Sequence, residues 1–337
     1  MMASMKNCVF STIHVPWPWM RQTLDGHGRM ADCDIQINTN DTNAQWLVVF
    51  DEPYTNTVTS VPKERRILFI TEPPEVKPYP ASYLRQFGRI VSPFTIKSVP
   101  SGTVLIENPC LNWHYGVETV SGNYSSEFSK LDDFRNMSIP AKEKMLSVIC
   151  STKTYTTAQR KRIAFVEKLQ ARLGSKVDIY GRGRNPISDK RDAIAPYKYH
   201  LVLENNYSNF FWTEKLSDTL IGFSYPIYLG APNLGSFFPK GFLSSLQPDS
   251  DEANIALIEE LLSDDPWERS LSAIVECRNW ILETTNVFDR VNRFIREGAQ
   301  APMSPNHAEP VQIKPTGRWE KALLRRVMRL GLYNPFV

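Results

Sequence analysis

Residues 197–229 read YKYHLVLENNYSNFFWTEKLSDTLIGFSYPIYL. An apolar strand over 199–203 ends at Glu204 and Asn205, a polar and aromatic loop follows, and Thr213, Glu214 and Lys215 open a helix over 214–223. A second strand over 225–229 closes at Gly230. Strand, helix and strand in so short a span are the repeating unit of a doubly wound α/β sheet. Such a sheet binds its ligand at the carboxyl ends of its strands, where Glu204 to Lys215 gather. Thr213 suits the N-cap, and the free amides and partial positive charge of a helix start favour an anion such as a diphosphate. Lys215 adds a full charge. At an effective dielectric near 20, two unit charges about 4 Å apart attract by about 4 kcal/mol before desolvation. Read as solvated first-turn residues, Glu214 and Lys215 would do none of this, and the local pattern leaves both readings open.

The alternation continues outward. Residues 145–150 and 177–180 read as strands around a helix over 158–173, where Ile163, Val166, Leu169 and Leu173 recur at three- and four-residue steps. Helical segments over 252–262 and 273–296 follow. Nearer the start, 45–50, 66–71 and 88–92 read as strands and 81–87 as a helix, again a parallel sheet with helices on its faces. Over 122–144 the periodicity fades into Ser, Asn, Asp and Lys, which predicts a boundary. The expected domains are 1–144, 145–300 and a tail, 301–337. Two doubly wound domains in succession predict a ligand in the cleft between them.

Composition agrees with two globular domains: 337 residues, 42% hydrophobic and 22% charged. A net charge of +3 is too small to mark the surface as a nucleic-acid binder, so no nucleic-acid partner is expected. No run approaches the roughly eighteen apolar residues of a membrane span, and residues 1–10 lack the basic flank and long apolar run of a signal peptide, which predicts a cytoplasmic protein. Five scattered cysteines without a C-x-x-C pair argue against a disulfide framework and a zinc site. The histidines are too dispersed for metal ligation. Asp32-Cys33-Asp34 and Asp249-Ser250-Asp251 could each hold a divalent cation, but the second precedes an apolar helical run and reads better as helix capping. Gly181-Arg182-Gly183 lacks the third glycine of a dinucleotide fingerprint, because Pro186 stands there. Residues 318–330 form a basic amphipathic pattern that either docks on an anionic membrane surface, at the inner face of the cell membrane, or packs on the body.

The order and spacing of Tyr197-Lys198-Tyr199, Glu204-Asn205, Thr213-Glu214-Lys215 and Pro226-Ile227-Tyr228-Leu229-Gly230 resemble the donor-binding motif of the alpha-1,3-fucosyltransferases, glycosyltransferase family ten. The resemblance is strongest over 147–246. It implies a GT-B type fold with two Rossmann-like domains facing a central cleft, a GDP-fucose donor held mainly by the second, a glycan acceptor held mainly by the first, and inversion at the sugar carbon. It implies no metal or cofactor. By matching position it assigns donor contacts to Arg162, Asn205, Glu214 and Lys215 beside the capping Thr213, and the general base to Glu72, with Glu75 as fallback. Where the family commonly has Tyr, this chain has Phe211, which removes a hydroxyl from the donor side. A lipopolysaccharide or capsule precursor is the expected acceptor class. Two rivals keep the fold: a retaining or other-donor transferase using Glu204 and Glu214, and a non-catalytic nucleotide-sugar or glycan-binding protein that keeps Arg162 and Lys215 without a working base.

Overall fold

The computed structural model describes residues 5–55, 57–73, 76–110, 112–154, 157–298 and 309–317. The chain divides into two compact units, Met1–Leu111 with Asn286–Val337, and Asn112–Thr285.

The first unit opens with β1 (Lys6–Thr12), β2 (Arg29–Met30), β3 (Cys33–Ile37), β4 (Trp46–Phe50), β5 (Val58–Thr59) and β6 (Arg66–Phe69). A one-turn α1 (Ala81–Leu84), β7 (Arg89–Ser92) and β8 (Val104–Ile106) follow. Seven of these strands form one sheet in the order β2-β3-β1-β4-β6-β7-β8, parallel except for β2. WLVVF of β4 is buried at every position, as a central strand covered on both faces requires.

The second unit begins with the hairpin β9 (Val117–Val120) and β10 (Asn123–Phe128) and with α2 (Leu131–Arg135). Its body alternates β11 (Lys144–Ile149), α3 (Thr157–Leu173), β12 (Val177–Tyr180), α4 (Arg191–Ile194), β13 (Tyr197–Leu203), α5 (Glu214–Ile221), β14 (Tyr225–Leu229) and β15 (Ser244–Ser245). Helices α6 (Asp251–Asp264) and α7 (Trp267–Thr284) complete it. The five-stranded sheet runs β12-β11-β13-β14-β15, all parallel. Both units are therefore Rossmann-like.

The division differs from the expected boundaries at 144 and 300. Trp113, Tyr115, Leu131 and Phe134 are buried in the second core, so the segment without periodicity belongs to that unit. The pattern over 273–296 is also two helices, because the chain breaks at Thr285-Asn286 before α8 (Val287–Gly298). The Asn286 side chain accepts from the Phe288 amide at 3.0 Å and donates to the Gln22 carbonyl at 2.7 Å. Phe288 then packs on Phe10 and Phe294 on Phe69, with ring centroids 5.2 and 6.0 Å apart, which commits α8 to the first unit. A final strand, β16 (Val311–Gln312), pairs with β5.

All five cysteines are free and buried. Asp249 and Asp251 pair with Lys161 and Lys168 of α3, each at 2.7 Å. Among the described residues no helix is long and apolar enough to cross a membrane. The amphipathic segment 318–330 and Glu75 lie outside the described residues.

Candidate functional site

In the second unit the end of β13 and the start of α5 build one charged network. Thr213 caps α5, its hydroxyl accepting from the Lys215 amide. Glu204, buried at the tip of β13, accepts from the Thr213 amide and hydroxyl, each at 2.7 Å, and so clamps the cap to the sheet. Gly230 makes room for it, since a Cβ there would stand 2.7 Å from Glu204 Cγ. Lys215 Nζ lies 3.4 Å from Glu204 Oε2, 3.5 Å from Glu214 Oε1 and 3.0 Å from the Thr213 hydroxyl. On the other side of Glu214 stands Lys190, 3.3 Å from its Oε1 and 2.8 Å from Asp218 Oδ2. Asp218 Oδ1 in turn accepts the His114 and Tyr115 amides at 2.9 and 3.1 Å.

Arg162, on α3, donates to Asn205 Oδ1 at 2.7 Å, while its Nε is buried with no hydrogen-bond partner. The guanidinium thus keeps donor capacity for a ligand. Arg162 lines two cavities of this unit. A cavity of about 160 Å³ is bounded by Arg162, Lys190, His200, Glu214, Lys215 and Asp218. Another, of about 650 Å³, runs along α3 and the start of α6 past Arg162, Phe165, Tyr207 and Asn254.

Three cations meet three carboxylates here, and burial decides how the charge is shared. Burial works to raise Glu214, but Lys215 and Lys190 outweigh it and hold its carboxyl well below the usual range. For Glu204 and Asp218 burial wins over Lys215 and Lys190 respectively, and both shift upward. Lys190 and Lys215 overcome their own desolvation through the carboxylates beside them and shift upward, so both stay cationic. His200 forms part of the cavity wall and hydrogen-bonds Ser147 Oγ at 2.7 Å. Burial, and then the charge of Lys190, pull it down to about 3, so it is a neutral imidazole.

The structure thus brings together Arg162, Asn205, Thr213, Glu214 and Lys215. Lys190, Asp218 and His200 are members that sequence reasoning missed. Asp218 carried a signal, since it lies four residues after Glu214 and so shares its face of α5. Lys190 carried none, because only the tertiary fold places it there. Phe211, which stands where a tyrosine was expected, is buried.

Glu72 belongs to the first unit, half-buried just past β6, and its charge helps raise the pKa of buried Tyr79. Tyr79 donates to Asp51, so the ends of β4 and β6 form a polar neighbourhood of their own.

The two Rossmann-like units, each on a largely parallel sheet, have the GT-B class of fold. A solved alpha1,3-fucosyltransferase structure shares it, with a TM-score of 0.50 at 14% identity over 91% of this chain and 92% of that one. Within the class, residues 139–260 match the family model of glycosyltransferase family 10 (fucosyltransferase), C-terminal part. A fucosyltransferase-like protein of Arabidopsis thaliana is 37% identical over 67 residues, a match that covers 19% of this chain and 13% of that protein.

Proposed function

We propose that the chain is an inverting glycosyltransferase that moves L-fucose from GDP-fucose to a hydroxyl of a glycan acceptor. The observation that carries this reading is the convergence of Arg162, Lys190 and Lys215 on one cavity inside the family 10 segment. Cations held in place at a departing diphosphate stabilise charge that grows only as the bond breaks. In this reading the larger cavity takes the nucleoside, Arg162 spans the diphosphate, and Glu214 receives hydroxyls of the sugar. The acceptor oxygen attacks the anomeric carbon, the bond to the diphosphate oxygen breaks with its electron pair, and the acceptor's proton goes to Glu72. The charge on the leaving group is met by side chains and the amides of α5, so no metal or cofactor is required. Both oxygens of Glu204 are engaged by Thr213 and Lys215, so it acts as a structural clamp and the retaining rival finds no support there.

A lipopolysaccharide or capsule precursor is the acceptor class we propose, met in the cytoplasm at the inner face of the membrane. Calorimetry with GDP, UDP and CMP, followed by transfer assays on a panel of mono- and disaccharides with and without EDTA, tests the whole reading. GDP should bind, Lys215→Ala and Arg162→Ala should each weaken it by about tenfold or more, and Glu72→Gln should bind GDP yet lose transfer. Absence of nucleotide binding would sink the transferase reading. Binding without transfer or donor hydrolysis would favour the non-catalytic rival.

A further inference from the structure

The carboxyl end of the first sheet holds a polar constellation apart from the donor network. Asp51 follows β4 with φ 71°, a left-handed conformation that an aspartate tolerates. The turn sends its carboxylate inward, where the Tyr79 hydroxyl donates to Oδ1, Lys77 Nζ lies 2.9 Å from Oδ2 and His14 Nε2 lies 3.2 Å from Oδ2. Burial opposes a charge on Asp51, but His14, Lys77 and Tyr79 outweigh it and hold its carboxyl well below the usual range. An ionised carboxylate only accepts hydrogen bonds. In the neutral imidazole Nε2 therefore carries the hydrogen, and Nδ1 keeps its lone pair.

That lone pair points to a use. The His14 side chain is 44% exposed, and Nδ1 has no hydrogen-bond partner among the described residues. Flanking it, Ile13 and Val15 are 43% and 49% exposed. Exposed Tyr54 is tied to the same sheet end, since its amide donates to Ser11 Oγ at 2.9 Å. A fixed acceptor among apolar side chains offers a sugar what it needs, a partner for one hydroxyl and a surface for its C–H face.

We propose that His14 Nδ1 accepts a hydrogen bond from a hydroxyl of the acceptor saccharide, which makes residues 13–15 an acceptor subsite. The inference deepens the transferase reading and rests on it. It is tested by steady-state kinetics at saturating donor, with the best acceptor saccharide from the panel. His14→Ala should raise the acceptor KM by about tenfold, with a change in kcat of less than about threefold and with GDP affinity retained. His14→Asn, whose carbonyl oxygen takes the place of Nδ1, should recover most of that loss, whereas His14→Gln, with its carbonyl one carbon further out, should not. An acceptor KM within about twofold of wild type in His14→Ala overturns the proposal, as do equal values for Asn and Gln if the alanine variant does not fold. A wild-type chain that binds no nucleoside diphosphate overturns the transferase reading instead.

Discussion

The two units are built alike and finished differently. Each is a parallel sheet whose functional groups follow the carboxyl ends of its strands. In the first, Asp51, Glu52 and Glu72 gather there with one lysine, Lys77, and a histidine that leans on a carboxylate. In the second, three cations, Arg162, Lys190 and Lys215, gather with Glu204, Glu214 and Asp218, and the histidine, His200, is buried beside a lysine. The shared architecture fixes where chemistry can be placed, and the residues that end the strands decide its sign. A carboxylate-rich end suits proton removal and hydroxyl binding, and an end where three cations offset the carboxylates suits a diphosphate.

The sharpest way to break this comparison is to remove one lysine from each end. Lys190→Met leaves buried Asp218 and half-buried Glu214 without their shared cation, and breaking a buried pair on one side, as at Asp218, costs about 3–5 kcal/mol. Urea unfolding of the variant should show a loss of that order. Lys77→Met should cost less, about 1–3 kcal/mol, because Asp51 keeps the Tyr79 hydroxyl and the His14 ring as donors. Equal losses would mean that the two networks are interchangeable ion pairs and that the asymmetry has no energetic content.

What the sequence disclosed follows the same divide. Strands closed by a glycine were legible to the residue, as at Val177–Tyr180 before Gly181 and Tyr225–Leu229 before Gly230. The break between α7 and α8 was not, because apolar spacing continues across it and only the Asn286 side chain marks the new start. Lys6–Thr12 escaped notice as a strand because KNCVFST mixes polar residues that become buried only once β3 and β4 flank it. In the donor network, Thr213, Glu214 and Lys215 were legible since they adjoin a helix start, and Arg162 and Asn205 came through the family resemblance. Lys190 and the Asp51 cluster depend on contacts between segments far apart in the chain, which a local pattern does not encode.

A smaller effect separates the two ends by pH. The folded His200 titrates near 3, whereas an unfolded histidine takes its proton near 6.5. Between those values the unfolded chain binds a proton that the folded chain refuses, so stability present above pH 6.5 drains away as the pH falls, at about 1.4 kcal/mol per pH unit from this one group. In the first unit Asp51 behaves differently over the same range. Its depressed carboxyl contributes stability above the ordinary aspartate value near 4 and loses it only as the pH falls through the lower folded value, so it is silent between pH 7 and 5. His200→Asn keeps a donor near Nδ1 for Ser147 and removes the titration. Urea unfolding of both proteins at pH 7, 6 and 5 should therefore show the gap between them shifting in favour of the variant, most steeply below pH 6. Parallel stabilities across that range would mean that His200 takes up its proton without cost, and that the cationic environment drawn here around Lys190 is wrong.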